Sequence, residues 1–301
     1  MILATHASFR PADRTATQCR EWNNRRIWKR AAKRVQCLHT QKGHPIKLTK
    51  QQIAHFKTFG YLIRRQVFPP DEMAAIVRAV EGLWRQMETA GKIEVGNFIE
   101  PCPQLVYLVD DDRIYEPVSQ LLGPGFIWGG SEGNRRETSD LDDHFWHSDR
   151  DAVNGMTYGC IKHMIYFEPA TKDTGALRIV PGSHLQAFAA LLDPLNEQRP
   201  DTCRRLFGVE GDELPCVPLE CESGDLVMFS QYLFHGVYHK QATRRYIALK
   251  FAEKPTEPAH FELLNKNTPD RSELHESFLS SERPRIREMI ENVHESWVPG
   301  S

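Results

Sequence analysis

The chain has 301 residues, of which 40% are hydrophobic and 26% are charged. These proportions are typical of a globular protein and exclude a disordered, collagen-like or coiled-coil chain. The 38 basic and 40 acidic side chains give a net charge of −2, and no run approaches 18 consecutive apolar residues, so we expect neither a nucleic-acid partner nor a membrane span.

Positive charge is concentrated in the first 50 residues, which contain 12 Lys and Arg side chains but only two acidic ones. We therefore predict that residues 1–46 form a basic N-terminal extension. An Arg-rich, acid-poor segment is also typical of mitochondrial transit peptides, so a mitochondrial location stays open beside the cytoplasmic location that we expect. The seven cysteines contain no C-x-x-C pair, which favours free thiols in a reducing compartment over a disulfide framework.

The first part of the chain has the periodicity of helices. Thr49 is a suitable N-cap for a first helix that ends at Gly60, and a short strand is predicted over residues 61–63. Apolar residues spaced three and four apart after Asp71 predict an amphipathic helix. A third helix is predicted over residues 112–122, before a Gly-Pro-Gly turn.

Beyond residue 125 the hydrophobic period changes from 3.6 to 2, which indicates strands. The segment between residues 184 and 221 interrupts this pattern with a helical stretch over 187–192 and a polar loop, an arrangement typical of an insertion or lid. Helices that precede a set of short strands predict a mainly β fold with flanking helices, an α+β sandwich or barrel. The predicted strands are 126–128, 161–167, 177–180, 226–229 and 246–251.

His147 and Asp149 are the first residues whose types and spacing indicate chemistry. On an extended strand residues i and i+2 project to the same face, so an imidazole and a carboxylate there can share a cation. Such pairs also arise by chance, and His260 with Glu262 is a second one. The first pair is distinguished by a second histidine, His235, which comes directly after a predicted strand.

Two histidines and one carboxylate leave coordination positions open, an arrangement suited to non-haem Fe(II) and O₂, whereas zinc favours four-coordinate sites richer in nitrogen or sulfur. Arg244 lies nine residues beyond His235 and opens the next predicted strand. A guanidinium group binds a carboxylate through two parallel hydrogen bonds. The set therefore indicates a dicarboxylate co-substrate that chelates the metal at one end.

Several short motifs occur in chain order between residues 146 and 236. They are Trp146-His147-Ser148-Asp149, Asp173-Thr174-Gly175-Ala176-Leu177, Val180-Pro181-Gly182-Ser183-His184, Gly224-Asp225-Leu226 and His235-Gly236. In the order and spacing of these motifs, residues 48–252 resemble the phytanoyl-CoA dioxygenase family of Fe(II)/2-oxoglutarate-dependent oxygenases. The resemblance implies a double-stranded β-helix, or cupin-like jelly roll, over residues 47–256, with N-terminal helices packed on it, an insertion or lid at 185–222 and a C-terminal helical tail at 257–301.

Transferred residue by residue, the resemblance implies that His147, Asp149 and His235 bind iron and that Arg244 binds the distal carboxylate of 2-oxoglutarate. Adjacent strand residues face opposite sides, so at most one of Arg244 and Arg245 should point into the barrel. Alignment with the family pattern places Arg244 at the anchor position, and a slip of one residue in register would exchange the two roles. The chain departs from the family pattern in two places. Val237 stands where some relatives have a polar contact to 2-oxoglutarate, and the strand at 160–167 lacks the aromatic residue that some relatives place near it.

The resemblance implies a dioxygenase that uses Fe(II), 2-oxoglutarate and O₂, with hydroxylation of an unactivated C–H bond in a small molecule as the default reaction, and with release of succinate and CO₂. Two alternatives stay open, a non-catalytic jelly-roll binding protein and a cupin-type metal dioxygenase that does not use 2-oxoglutarate. We expect substrate specificity to depend on a loop over 130–145 and on the insertion. His144 and His163 either contact substrate, pack in the core or face solvent. Trp146 is a core residue or a pocket wall, and His239 is expected to be exposed.

Overall fold

The computed structural model describes residues 45–87, 93–136, 144–150, 158–196, 208–240, 244–267 and 274–294. These residues fall within one compact unit, Pro45–Ser301. The predicted basic extension lies outside the described residues except for its last two positions. Within the described part of the chain, no helix combines the length and the apolar composition needed to cross a membrane.

The N-terminal helices begin and end close to the predicted positions. Thr49 and Gln52 cap the first helix reciprocally, each side chain accepting a hydrogen bond from the other's backbone N–H. Gly60 ends that helix at a φ of 81°, a left-handed conformation that glycine adopts without strain. The elements in this part are α1 (Lys50–Phe59), β1 (Tyr61–Arg64), α2 (Pro70–Met87), β2 (Ile93–Gly96), α3 (Tyr107–Asp110) and α4 (Asp112–Leu122).

The remaining strands complete two antiparallel sheets, one with six strands in the order β1-β8-β5-β10-β3-β2 and one with four in the order β4-β9-β6-β7. Side chains from both sheets share one apolar cluster, which includes Met164, Leu177 and Val237, so the sheets pack face to face. The predicted jelly-roll core is confirmed. The strands are β3 (Ile127–Arg136), β4 (His144–His147), β5 (Cys160–Tyr166), β6 (Leu177–Ile179), β7 (Val217–Leu219), β8 (Leu226–Ser230), β9 (His235–Val237) and β10 (Arg244–Ala252).

A second, larger apolar core lies on the other face of the six-stranded sheet. It joins α2 and α4 to alternate residues of β5 and β10, such as Ile161, Ile165 and Ile247. The C-terminal helices α6 (Pro258–Asn267), α7 (Glu276–Leu279) and α8 (Pro284–His294) complete the chain. Phe278 and Met289 belong to this same core, so α7 and α8 pack on the sheet.

The sequence predicts a loop over residues 130–145, and the structure contradicts this for the first part of the segment. β3 continues to Arg136 and pairs with β10 on one side and β2 on the other. Its glycines conceal the strand pattern. A Cβ at Gly133 would lie 2.4–2.5 Å from the Phe98 ring, so close packing requires glycine where strand propensity would favour a larger residue. Residues 137–143 lie outside the described part.

The insertion at 185–222 contains α5 (Gln186–Asn196), a short 3₁₀ helix (Gly211–Glu213) and β7. β7 is the edge strand of the four-stranded sheet. Leu192 of α5 and Leu214 pack on the outer face of that sheet, in a cluster with Trp146, Phe234 and Tyr238. The space between the two sheets lies on the opposite face. Residues 197–207 lie outside the described residues. The four described cysteines, at positions 102, 160, 216 and 221, are free thiols, as predicted.

His163 is a polar residue on the helix side of the six-stranded sheet, where its surroundings are apolar. It is fully buried, contacts the Phe251 ring edge-on, and neither ring nitrogen has a hydrogen-bond partner among the described residues. Burial, with a smaller contribution from Arg64, lowers the pKa of His163 from 6.5 to about 3. The folded protein therefore holds this histidine neutral at mildly acidic pH, while the unfolded chain protonates it.

We expect His163→Leu to reduce the loss of stability in mild acid. Between pH 3 and 6.5 the unfolded wild-type chain binds the proton and the folded one does not, so this residue lowers the free energy of unfolding as the pH falls, by about 2 kcal/mol at pH 5. Urea denaturation at pH 8 and pH 5 measures the effect. The difference between the two pH values should be about 2 kcal/mol smaller in the variant, and an identical pH dependence would contradict the assignment.

Candidate metal centre

Pairing of β4 with β9 sets His147 directly opposite His235, with their ring centroids 4.3 Å apart. Asp149 lies just beyond β4, and its Oδ1 lies 3.9 Å from Nε2 of His147 and 3.6 Å from Nε2 of His235. Among the described residues this is the one group of three side chains whose potential ligand atoms all lie within 4.8 Å of one another. The structure therefore brings together the three residues that the sequence singled out.

Backbone carbonyls orient both imidazoles. Nδ1 of His147 donates to the carbonyl of Phe145 at 2.8 Å, and Nδ1 of His235 donates to that of Leu233 at 2.7 Å. Each Nε2 therefore carries a lone pair that faces Asp149. Burial, with a further contribution from His147, lowers the pKa of His235 to about 3. A neutral imidazole is the form that binds a metal.

Asp149 is ionised although solvent reaches only 19% of its side chain. Burial by itself raises the pKa of its carboxyl group, but the nearby Lys162 ammonium, with smaller contributions from His235 and His147, outweighs burial and lowers it well below the usual range. Lys162 Nζ lies 3.2 Å from Oδ2 and donates a hydrogen bond to it. The carboxylate thus has one oxygen facing the histidines and the other bound to a lysine.

Lys162 belongs to a chain of four charged side chains between the sheets. Its Nζ also lies 3.0 Å from Oε2 of Glu132 on β3, and Glu132 is ion-paired in turn with Lys250 on β10. Burial lowers the pKa of Lys162, but Asp149 and Glu132 outweigh burial and raise it, so the group is an ammonium ion. The sequence analysis did not identify these four charged side chains as a group. The available signal was the alternation of β5, which places Lys162, Met164 and Tyr166 on one face.

Arg244 begins β10 and is buried between the sheets. Its Nη2 donates to the Tyr166 hydroxyl at 2.6 Å, and its guanidinium carbon lies 5.0 Å from the ring centroids of both Tyr166 and Tyr246. Arg245 faces the opposite side, where it pairs with carboxylates at the helix face of the sheet. The predicted register is therefore the observed one. From the sequence we expected the strand at 160–167 to lack the aromatic residue that some relatives place near 2-oxoglutarate. In the structure, Tyr166 of this strand contacts Arg244.

Arg244 lacks the partners that a buried guanidinium normally has. Its Nε has no hydrogen-bond partner among the described residues, and its contacts include two tyrosines but no carboxylate of the described chain. Asn134 pairs with Tyr246 across β3 and β10, is buried, and has an Oδ1 without a partner in the same described part. Unsatisfied buried polar groups of this kind indicate a place for a polar ligand.

The other histidines that the sequence analysis considered lie in different surroundings. His144 lies on β4 beside the site, its ring centroid 6.1 Å from that of His147, whereas His163 packs on the helix side of the sheet and cannot contact a substrate between the sheets. His239 is exposed, as expected, and pairs with Asp212. His260, the second candidate from the sequence, pairs with Glu257 at the start of α6.

Trp146 is a core residue. It stacks on Phe234 with the ring planes 10° apart, and its Nε1 donates to the carbonyl of Gly211 in the insertion. Because neighbouring strand residues face opposite sides, this outward packing fixes His147 toward the space between the sheets.

The two sheets also resemble those of known structures. HygX from Streptomyces hygroscopicus, solved with nickel and 2-oxoglutarate bound, aligns over 69% of this chain and 88% of its own length, with a TM-score of 0.54 and 20% identity. SnoK, described as a non-heme alpha ketoglutarate dependent carbocyclase from nogalamycin biosynthesis, aligns over 70% of this chain and 88% of its own, with a TM-score of 0.55 and 16% identity. At these identities the likeness establishes the fold.

An ectoine dioxygenase of Bordetella bronchiseptica is 23% identical over 181 residues, which are 54% of this chain and 58% of that protein. The chain thus spans little more than half the length of this curated relative. Residues 131–243 match the family described as phytanoyl-CoA dioxygenase (PhyH). That range contains His147, Asp149 and His235, and it ends one residue before Arg244. The resemblance seen in the sequence motifs is therefore confirmed over residues 131–243, the part of the chain that this family model matches.

Proposed function

We propose that the chain is an Fe(II)- and 2-oxoglutarate-dependent dioxygenase that acts on a small molecule. The observation that carries the proposal is the convergence of two Nε2 lone pairs and one carboxylate oxygen within 4.8 Å. His147, Asp149 and His235 would bind the iron. Arg244 would bind the distal carboxylate of 2-oxoglutarate.

The donor set fits iron better than the common alternatives. Two imidazoles and one carboxylate on one side of an ion leave adjacent positions open for a chelating co-substrate and for O₂. Zinc would favour a fourth protein ligand in a structural site, and calcium would favour more oxygen ligands. The four described cysteines do not join the group.

The surroundings of Arg244 fit a dicarboxylate. A buried guanidinium that contacts tyrosines, and whose Nε has no partner among the residues that the structure describes, can bind a carboxylate through charge-assisted hydrogen bonds. The two tyrosine rings restrict its rotation, so the guanidinium is oriented before the ligand arrives. Asn134, on the same face of the sheet, offers a further polar contact. These features favour a dioxygenase that uses 2-oxoglutarate over a cupin-type dioxygenase that does not use it.

When bound, iron, 2-oxoglutarate and O₂ would supply the oxidant for an unactivated C–H bond, with succinate and CO₂ as co-products. The protein orients the ligands through the two carbonyl-bound imidazoles and through Arg244, and the apolar residues between the sheets exclude water. Hydroxylation is the default outcome that we propose. One structural relative is described as a carbocyclase, so product analysis has to establish the outcome.

The decisive experiment is a two-step anaerobic and aerobic assay of the purified protein. Fe(II) and 2-oxoglutarate are first titrated under anaerobic conditions, and succinate release is then measured in air against a library of small metabolites. Binding of both, together with substrate-dependent succinate release, supports the proposal. Binding of neither would favour a non-catalytic jelly roll, and O₂ consumption without succinate would favour a dioxygenase that does not use 2-oxoglutarate.

We expect alanine at any one of His147, Asp149 or His235 to abolish iron-dependent 2-oxoglutarate turnover and to weaken Fe(II) binding at least tenfold, because two remaining ligands hold a labile metal poorly. Metal titration of the apoprotein measures the binding. His260→Ala is the matched control, since this histidine pairs with Glu257 on α6, and it should bind iron like the wild type. Wild-type iron affinity in all three triad variants would exclude this site.

We expect Arg244→Ala to raise the 2-oxoglutarate dissociation constant roughly 30-fold or more while leaving metal binding nearly unchanged, because loss of one partner of a buried charge pair costs about 2–5 kcal/mol. Arg245→Ala removes the neighbouring arginine, which pairs on the opposite face, and should change the constant less than threefold. Titration of 2-oxoglutarate into the anaerobic Fe(II) forms compares them. The reverse order of the two effects would contradict the assignment.

A further inference from the structure

We propose that Lys162 keeps Asp149 a one-oxygen ligand by occupying the other carboxylate oxygen, and so preserves a coordination position that the reaction needs. This inference rests on the proposed function, because it concerns how the same three residues would hold the metal. Lys162 is a positioning residue in this scheme, since it acts through Asp149.

The two oxygens of Asp149 have different surroundings. Oδ1 faces Nε2 of His147 and of His235, at 3.9 and 3.6 Å, whereas Oδ2 lies 3.2 Å from Lys162 Nζ. A carboxylate binds a metal through both oxygens only when both face the ion. The ammonium group competes for the lone pairs of Oδ2 and fixes the carboxylate plane, so only Oδ1 is directed at the site.

Lys162 is itself held in place. It lies in the middle of β5, which pairs with β8 on one side and β10 on the other, and only 10% of its side chain is exposed. Glu132 binds its Nζ at 3.0 Å, and Lys250 on the adjacent strand binds Glu132. The ammonium group therefore cannot reach solvent by a simple rotation. Asp149, Lys162, Glu132 and Lys250 are alternately negative and positive, and their charges sum to zero. Counted with these partners, Lys162 adds no net positive charge to the metal site.

The position of Lys162 affects ligand binding at the metal. The proposed co-substrate and O₂ need the open positions that two histidines and one oxygen leave on the ion. A second oxygen from Asp149 would occupy one of these positions and compete with 2-oxoglutarate. Removal of the Lys162 ammonium should therefore affect co-substrate binding more than metal binding.

The test compares Lys162→Met, which keeps a long apolar stem without the charge, with the wild type. Co(II) is titrated into each apoprotein and followed by its visible absorption spectrum, which depends on coordination number. 2-Oxoglutarate is then titrated into each anaerobic Fe(II) form. We expect the variant to bind Co(II) at least as tightly as the wild type, with an altered spectrum, and to bind 2-oxoglutarate at least tenfold more weakly.

Two further variants separate the hydrogen bond from the general charge of the cavity. Lys162→Arg retains a cationic donor and should recover most of the wild-type spectrum and 2-oxoglutarate affinity. Lys250→Met removes the lysine that binds Glu132, one link further from Asp149, and should have a clearly smaller effect than Lys162→Met. Equal effects of the two methionine variants would overturn the inference, because the charge of the cavity would then account for both.

Other outcomes are equally decisive. An unchanged Co(II) spectrum and unchanged 2-oxoglutarate affinity in Lys162→Met would overturn the inference while wild-type binding still supported the proposed function. A tenfold loss of Co(II) affinity would also overturn it, since Lys162 would then build the site rather than limit the carboxylate. Failure of the wild type to bind Fe(II) and 2-oxoglutarate would overturn the proposed function itself. If Lys162→Met does not fold, Lys162→Leu, which is also apolar and cannot donate a hydrogen bond, replaces it with the same expected changes.

Discussion

Burial of both faces of the six-stranded sheet is the constraint on which the rest of the structure depends. Helices cover one face and the four-stranded sheet covers the other. Side chains alternate along a strand, so neighbouring residues of β5 enter two different interiors. His163 enters the apolar helix side and is held neutral, whereas Lys162 enters the space between the sheets and is held charged. A polar residue is stable in either interior only if its partners, or its protonation state, suit that side.

The described acidic and basic side chains between the two sheets form ion pairs with one another, and Arg244 differs from them. Asp149, Lys162, Glu132 and Lys250 balance one another in a continuous chain. Arg244 instead lies between two tyrosine rings and retains an unpartnered nitrogen among the described residues. This difference distinguishes a group that supports the metal ligands from a group that is ready to bind an anion. A site arranged in this way needs little rearrangement when its ligand binds.

Packing on the outer face of the four-stranded sheet also contributes to the site. Trp146 and Phe234 precede His147 and His235 respectively in the chain, and the two aromatic rings stack on each other on the face away from the histidines. The insertion adds Leu192 and a hydrogen bond from Trp146 to Gly211. The described parts of the insertion therefore brace the strands that carry the candidate ligands. Removal of this packing would disturb the spacing of His147 and His235 without touching either residue.

The sequence by itself determined the helix caps at Thr49 and Gly60 and the principal strands of a sandwich or barrel, because periodicity and glycine conformation are local properties. Ligand chemistry singled out His147, Asp149, His235 and Arg244 as candidates, and the resemblance of the motifs to a known family implied the jelly roll. Only the tertiary structure decided that residues 130–136 form a strand, because Gly133 leaves room for an aromatic ring that is distant in the sequence and does not mark a turn. It likewise decided that Lys162 binds Asp149 and that Tyr166 binds Arg244. Those contacts join residues 13 and 78 positions apart. Pairing of β5 with β10 brings Tyr166 to Arg244, and packing of one sheet on the other brings Lys162 to Asp149; no local pattern encodes either.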